Sequence, residues 1–353
     1  MNKKVNIGDT YKIIIFALTY GISFYYLKML SKQNSWLIII ISHIIGFLYV
    51  KMCLKIKDSY KNKSIFEINK IVLGNIVGTF INLIFMIIYA FLTIIILWYL
   101  IIFLKTNFLE KTPVLFLKII VLLPLFYIIN KNNLVLIKSN NLFINIIFIL
   151  TITAIIFLFP QIELNNLKPF SEISINNMSY ALFAYTAVTF LPTHAILGIN
   201  DLKFNNFFKC TVKTFLLSIS IVLSTYLILG NSIIEIVDFP EFFVLRKIGV
   251  LANGTRIDSL IIIGWLLSIY AIAATFLLYI RNYLKVEIKS YKNIFSYFLI
   301  LLIAFLTTNV FKNVSIGKSF ILDYLPYLLF FTLFLLNLII YTILKVKLKK
   351  VSH

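Results

Sequence analysis

Apolar residues occur in ten separate stretches along this chain, and polar segments separate one stretch from the next. A helix crosses the hydrocarbon of a bilayer with roughly 20 residues, and most of these stretches have about that length. The predicted spanning helices are 13–30, 36–52, 76–104, 112–129, 142–159, 180–197, 212–229, 260–280, 295–310 and 322–344. The pattern therefore predicts an all-α integral membrane protein with ten transmembrane helices.

The composition supports this class of protein. Of the 353 residues, 61% are hydrophobic and only 13% are charged. One soluble core of ordinary size cannot bury that much apolar surface, so lipid must solvate much of it.

The segments between the apolar stretches alternate in their content of basic residues. One segment contains many lysines and arginines, and the next contains few. With the amino terminus placed in the cytoplasm, the inner segments hold 22 basic residues and five acids, and the outer segments hold ten and eight. This distribution obeys the positive-inside rule with both termini cytoplasmic. The net charge of +20 is therefore assigned to contacts with anionic lipid and not to nucleic acid.

Two connections carry helix signals of their own. Ser64 and Glu67 have the spacing of a capping box, which predicts a short helix on the inner surface before the third stretch. The longest connection, 231–259, contains the aromatic and charged run 239–248. That run predicts a helix that lies in the outer interface and covers a cavity beneath it.

No pattern for catalysis, metal binding or a cofactor occurs in the chain. The histidines His43, His194 and His353 have no metal-ligand spacing, and no span carries two acids that could act as general acid and base. We expect His43 and His194 to be packed polar groups. Lys118 lies within the fourth stretch, where it either extends to the lipid headgroups or serves as a buried functional amine. The sequence thus predicts a protein that is not an enzyme.

Two stretches contain residues that favour a break near the middle of the membrane. In the first stretch Gly21 lies between Thr19 and Ser23, and in the sixth Tyr185 to Thr189 are followed by Pro192. Glycine and proline weaken a helix, and broken helices at matching depths are typical of inverted repeats. Ordinary packing of small residues is the alternative interpretation.

Helices 1 and 6 are the equivalent members of two five-helix halves, and an odd number of crossings per half gives the halves opposite orientations. We therefore predict one membrane domain, 1–345, with repeat one at 10–159 and repeat two at 177–345. A basic cytoplasmic tail follows at 346–353.

Short motifs in a fixed order give the whole chain a family resemblance. They are Ser35-Trp36, the segment from Ser64 to Gly78 with Glu67 and Leu73-Gly74, Lys111-Thr112-Pro113, Leu167-Lys168-Pro169-Phe170, and the segment from Phe239-Pro240 through Arg246, Ile248, Arg256, Asp258 and Trp265. In these features the chain resembles the B-subunit family of bacterial spore germinant receptors, a branch of the amino acid, polyamine and organocation transporter superfamily.

The resemblance implies a leucine-transporter-like fold with discontinuous helices 1 and 6. It further implies a sensor in the spore inner membrane that binds a nutrient germinant such as an amino acid. Its partners would be a larger membrane A-subunit and a lipoprotein C-subunit. The chain departs from the family pattern in the sixth stretch, where Ala187 and Thr189 stand in place of an expected glycine and acid.

The candidate ligand site is the set of hydroxyl, aromatic and small residues near the two breaks. Free N–H groups at half-helix ends would receive a ligand carboxylate, and free carbonyls would receive its ammonium group. The candidate ligand-binding residues are Thr19, Tyr20, Gly21, Ser23, Tyr89, Tyr185, Thr186, Ala187, Thr189 and Thr275.

Two other functions fit the same sequence. One is a secondary transporter that moves an amino acid or a cation without partners, although the sequence shows few buried acids for proton coupling. The other is a structural membrane subunit that has lost ligand binding, which the departures in the sixth stretch would permit.

Overall fold

The computed structural model describes residues 5–60, 63–131, 133–168, 174–199, 202–204, 206–251, 257–288, 293–311 and 313–351. These residues are helical apart from short connections and one pair of strands. The strands Val5–Asn6 and Leu202–Lys203 pair in parallel. They join the segment before the first helix to the connection that follows the sixth.

Each of the ten predicted stretches is helical, and we number the helices by those stretches. Seven helices are single segments: helix 2 is Ser35–Asp58, helix 3 is Asn75–Asn107, helix 4 is Val114–Ile128, helix 5 is Asn133–Leu158, helix 7 is Phe207–Ile236, helix 8 is Ile257–Glu287 and helix 9 is Asn293–Asn309. Helix 1 consists of Gly8–Thr19, Ile22–Tyr26 and a π-helical turn Leu27–Ser31, and helix 6 consists of Ile175–Phe190 and the 3-10 segment Leu191–Gly198. Helix 10 consists of Val314–Asp323, Leu325–Leu329, a π-helical segment Phe330–Leu335 and Leu336–Val351.

The helices have the length and hydropathy of a multi-pass membrane protein. Among the described residues, seven helices are long and apolar enough to cross a bilayer, and two shorter apolar helices lie at Val114–Ile128 and Ile294–Thr307. Many large apolar side chains on helices 2 to 5 and 9 are exposed, as lipid-facing surfaces require. The helical membrane class is confirmed, and the count of ten crossings stays a prediction.

Helices 7 and 10 depart from a regular α-helix in ways that the sequence did not predict. Helix 7 bends at Gly230, whose φ of 66° is a left-handed conformation that favours glycine. Helix 10 begins earlier than predicted, is interrupted at Tyr324 ahead of Pro326, and then forms the π-helical segment. Its last part continues to Val351, so the predicted tail begins inside a helix.

A short helix at Ile65–Leu73 connects helix 2 to helix 3, and its capping box is confirmed. The Ser64 hydroxyl accepts from the Glu67 backbone N–H, and the Glu67 carboxylate accepts from the Ser64 backbone N–H at 2.7 Å. After this helix the chain turns at Gly74, which has a φ of 88°. A side chain at Gly78 would collide with the Lys70 backbone at 2.6 Å. These two glycines therefore let helix 3 pack closely against the connecting helix.

Ser64→Ala is expected to lower the stability of the protein modestly. The substitution leaves the Glu67 N–H without its acceptor, and the loss of such a cap costs about 1 kcal/mol. Thermal unfolding of the purified protein in detergent measures the change. Ser319→Ala is the matched control, because its exposed hydroxyl bonds only a carbonyl within helix 10. Equal melting temperatures for the two variants would contradict the capping role.

A second connecting helix, Pro240–Leu251, lies between helices 7 and 8 and confirms the helix predicted in this connection. One face is fully packed, with Phe242, Val244, Leu245 and Ile248 all buried. Its ring contacts reach helix 1 through Tyr20, helix 3 through Phe103 and helix 8 through Trp265. This helix is therefore part of the packed interior of the protein, in addition to the covering role that the sequence predicts for it.

The remaining observations concern single residues. His43 is buried in helix 2, where its Nδ1 lies 2.9 Å from the Ile39 carbonyl and its ring contacts Phe190 and Phe215. Lys118 lines an apolar groove between helices 4 and 9. The two cysteines, Cys53 and Cys210, are free thiols. Pro169, Phe170 and Arg256, which contribute to the family resemblance, lie outside the described residues.

Candidate ligand site at the interruption of helix 1

Helix 1 is interrupted at Tyr20 and Gly21, as the sequence predicts. The first α-helical part ends at Thr19 and the second begins at Ile22, and Gly21 adopts φ −166° and ψ −118°. The Phe24 N–H already bonds the Gly21 carbonyl at 3.0 Å, which closes the first turn of the second part. The interruption is therefore short, and both halves are anchored by their own hydrogen bonds.

A tryptophan from helix 8 packs directly against the interruption. A Cβ atom at Gly21 would lie 3.1 Å from the Ala17 carbonyl oxygen and 3.4 Å from Trp265 Cζ2. The fully buried Trp265 indole directs its N–H at the same carbonyl, with 3.4 Å between Nε1 and the oxygen. Glycine at position 21 thus allows the indole to lie against the broken backbone.

Hydroxyl groups join the interruption to helices 6 and 7. The Thr19 Oγ1 lies 3.0 Å from the Tyr185 hydroxyl and 3.3 Å from the Ser218 Oγ. Beyond the interruption, the Thr189 hydroxyl donates to the Ser23 Oγ at 2.9 Å. All five side chains are buried. Four of the predicted site residues are therefore brought together in two hydrogen-bonded pairs.

Helix 6 keeps its α-helical geometry through the residues that we predicted to break it. The α-helix runs to Phe190, and the 3-10 segment begins at Leu191. A break at Ala187 is therefore wrong, and the change of geometry lies four residues later. Pro192 explains the position, because its missing N–H and its ring disturb the helix in the turn before it.

Other predicted site residues have separate partners. The Tyr20 hydroxyl donates to the Glu241 backbone carbonyl at 2.7 Å, which links the interruption to the 240–251 helix. The Thr186 hydroxyl donates to Ser42 in helix 2 at 2.9 Å. Ala187 is buried within helix 6. These residues surround the interruption without forming one continuous cluster.

A second polar cluster lies at the 3-10 segment of helix 6. The Tyr89 hydroxyl and His194 Nδ1 are 2.9 Å apart, and the ring of Tyr279 lies 4.5 Å from that of Tyr89 between centroids. The His194 Nε2 and the Tyr279 hydroxyl are buried without a hydrogen-bond partner. Thr275, by contrast, bonds the Ala271 carbonyl within helix 8.

Comparison with known proteins assigns the chain to a family. A family model described as "Spore germination protein" matches residues 9–315. The chain belongs to this spore germination protein family. The match confirms the resemblance to germinant receptor B-subunits and makes the chain a germination-related, permease-like membrane protein. A search of curated proteins found no match.

The sequence did not predict the contacts of three residues at the interruption of helix 1 and in the second polar cluster. Ser218 lies within a helix that carries several hydroxyl residues, and nothing in its spacing distinguishes it. Trp265 was used only as a family motif, although a buried aromatic residue beside a helix break is a natural wall for a pocket. His194 was placed in the packed interior without its tyrosine partners.

The side chains at the interruption form a neutral, buried set of hydroxyl groups. The hydroxyls of Thr19, Tyr185, Ser23 and Thr189 satisfy one another, so an entering ligand must replace these pairs. Within the described residues no group of three or more histidine, cysteine, aspartate or glutamate side chains could hold a metal ion. A small polar ligand with both donors and acceptors suits this set of side chains.

Thr19→Val is expected to weaken binding of a nutrient ligand about tenfold. Valine keeps the shape of threonine but removes the hydroxyl group that a ligand would bond in place of Tyr185 and Ser218, and leaving a buried polar group of the ligand without that partner costs about 1–3 kcal/mol. Equilibrium binding to the purified protein measures the effect. Thr153→Val is the matched control, because that exposed hydroxyl bonds only the Ile149 carbonyl. An equal loss in both variants would show a general effect of the substitution.

Proposed function

We propose that the chain is the nutrient-sensing subunit of a spore germinant receptor. An amino acid binds at the interruption of helix 1 beside helix 6, and its binding triggers germination through partner subunits. The single observation that carries this proposal is the buried interruption at Tyr20–Gly21, bordered by the paired hydroxyls of helices 1 and 6. Such an interruption offers backbone groups that a zwitterion needs.

The proposed architecture has ten crossings in two inverted repeats, at 10–159 and 177–345, with a leucine-transporter-like fold. Ten helical stretches and the paired irregularities in helices 1 and 6 support it. Both termini lie in the cytoplasm, and the protein resides in the spore inner membrane. The excess of basic residues on the inner segments supports this orientation.

The signal would pass by a shift between two arrangements of the helices. A ligand that replaces the Thr19–Tyr185 and Ser23–Thr189 pairs changes how the halves of helix 1 lie against helix 6. The shift can be no larger than the difference in ligand affinity between the two arrangements. The larger membrane A-subunit and the lipoprotein C-subunit would then receive the change.

A secondary transporter of an amino acid or a cation is the alternative function. The permease-like family favours it as a second candidate. The two functions differ in whether the purified chain alone moves its ligand across a bilayer.

Proteoliposomes that contain only this chain separate the two functions. For a sensor we expect saturable binding of an amino acid with no ligand-dependent flux above that of empty liposomes. Uptake that accumulates with time would overturn the sensor proposal in favour of the transporter. Neither binding nor flux for any amino acid would point to a structural subunit.

A further inference from the structure

The 240–251 helix buries a carboxyl group in the protein interior. Glu241 is 1% exposed, and the only other buried carboxyl group among the described residues is that of Asp9. Asp9 is compensated by an ion pair with Lys12 at 2.6 Å and by a hydrogen bond from Asn141. Glu241 takes part in none of the four ion pairs of the described residues. A buried charge of this kind needs a compensating partner.

Lys28 fills that role only in part. The Lys28 ammonium donates to the Val237 carbonyl at 2.5 Å. Burial raises the pKa of Glu241 to about 8, and its own backbone N–H and the charge of Lys28 oppose this only in part. The carboxyl group therefore holds a proton near neutral pH unless another cation replaces it.

A small cavity lies against Glu241, between helices 1, 5 and 7. It contains about 30 Å³ of space open to a water molecule, and one water needs about 10–15 Å³ on this measure. The cavity thus accommodates a small ion with a water molecule and is too small for an amino acid. It is lined by Tyr20, Thr151, Ser220, Ser224, Thr225 and Glu241 together with apolar side chains.

Three hydroxyl residues of helix 7 line this cavity: Ser220, Ser224 and Thr225. Ser220 donates its proton to the Leu217 carbonyl at 2.9 Å. Ser224 and Thr225 donate theirs to the Ile221 carbonyl at 3.0 and 2.8 Å. A hydroxyl whose proton is already donated presents its oxygen as an acceptor or as a metal ligand. The cavity therefore combines one carboxylate with several neutral oxygens.

We infer that Glu241 and the hydroxyl oxygens of Ser220, Ser224 and Thr225 form a binding site for a monovalent alkali cation, Na⁺ or K⁺. Hard cations take oxygen ligands, and divalent ions are usually held by more than one carboxylate or by substrate phosphates. A single carboxylate balances a single positive charge. The inference stands without the nutrient role proposed above.

The site is connected directly to the interruption of helix 1. The Tyr20 hydroxyl bonds the Glu241 carbonyl at 2.7 Å, and its ring meets Phe242 edge to face at 4.6 Å between centroids. Tyr20 is adjacent to Gly21. A cation that fixes Glu241 therefore also fixes the position of Tyr20 at the interruption.

Protons and alkali cations compete for this carboxyl group, so cation binding strengthens as the pH rises towards 8 and above. The titratable and charged groups around Glu241 come from several elements. Those that interact electrostatically with Glu241 are Tyr20 and Lys28 of helix 1, Tyr99 of helix 3 and Tyr226 of helix 7. Asp238, Arg246 and Lys247 are the charged residues near it in the sequence.

Thermal unfolding of the full-length protein in detergent tests the site with NaCl, KCl and choline chloride at equal ionic strength. At pH 8.5 we expect a saturating alkali salt to raise the melting temperature by about 3–5 °C over choline, and by less at pH 6. Glu241→Gln should remove the difference. Ser224→Ala should require about tenfold more cation, since one ligand is lost. Glu110→Gln, a change at an exposed acid, should leave the response intact.

Equal melting temperatures in alkali and choline salts would overturn the inference, and so would an alkali response that persists in Glu241→Gln. A melting temperature that depends on pH but not on the cation would identify a proton site only, which also overturns it. The relative potency of Na⁺ and K⁺ identifies the preferred ion. If Glu241→Gln fails to fold, the shift in the Ser224→Ala titration decides the question.

Discussion

Gly21→Phe is expected to abolish the nutrient response. A Cβ at this position already lies 3.1 Å from the Ala17 carbonyl oxygen and 3.4 Å from Trp265, so a phenyl ring must occupy the space that the ligand would take or displace the indole. We expect ligand affinity of the purified protein to fall by more than about 100-fold, since uncompensated overpacking and lost contacts together exceed about 2.7 kcal/mol. Spores that carry the variant should not germinate on the nutrient.

Controls separate a blocked site from a damaged protein. Leu48→Phe adds bulk at a position of helix 2 that is 60% exposed, and it should leave both binding and germination unchanged. Gly21→Ala is a smaller step and should give an intermediate affinity. Normal germination in Gly21→Phe spores, with the protein present at its usual level, would contradict the proposed location of the ligand.

Hydropathy identified the helices well because membrane helices must satisfy their backbone hydrogen bonds internally. All ten stretches are helical, and most of their ends moved outward. Helix 5 begins at Asn133 rather than near Leu142, and helix 3 extends to Asn107. Polar residues at helix ends remain helical where neighbouring segments or headgroups accept their side chains, and hydropathy carries no information on that.

The break in helix 1 was predictable and the one in helix 6 was displaced, for a physical reason. Gly21 has no side chain to favour the helix, and the flanking hydroxyls find partners outside it. In helix 6, Thr186 and Thr189 also bond other helices, yet Ala187 is a strong helix former and the backbone ladder stays intact. The proline then determines where the α-helix ends.

Glu241 shows what a count of charges by loop leaves out. The sequence places it in the aromatic and charged run 239–248, and the charge count assigns it to the outer side without indicating its burial. The aromatic residues near it in the sequence, Phe239, Phe242 and Phe243, were the available signal for its burial. Phe239 and Phe242 are buried, and Glu241 lies between them in the sequence and is buried too. A carboxyl group within an aromatic run is a candidate buried site.

The contact between helices 2 and 6 carries the second large effect that we expect. A Cβ at Gly46 would lie 2.2–2.6 Å from three atoms of the Phe190 ring, at the residue where helix 6 changes geometry. The Tyr49 hydroxyl also reaches the Leu191 carbonyl at 3.3 Å. Gly46→Ala must therefore push Phe190 and the 3-10 segment away. We expect a loss of about 1–3 kcal/mol in stability, measured by thermal unfolding in detergent, together with a weaker response to the nutrient.

A double-mutant cycle tests whether this contact is the cause. Phe190→Leu makes room for the added methyl group, so Gly46→Ala should cost much less in that background, with a coupling energy above about 1 kcal/mol. Gly264→Ala is the matched control, because its Cβ would meet only side-chain atoms, the flexible end of Leu150 at 3.2 Å and Ile147 at 3.7 Å. Additive losses in the cycle would show that the helix 2 contact does not position the end of helix 6. A restored melting temperature accompanied by a restored nutrient response would tie the geometry of that segment to signalling.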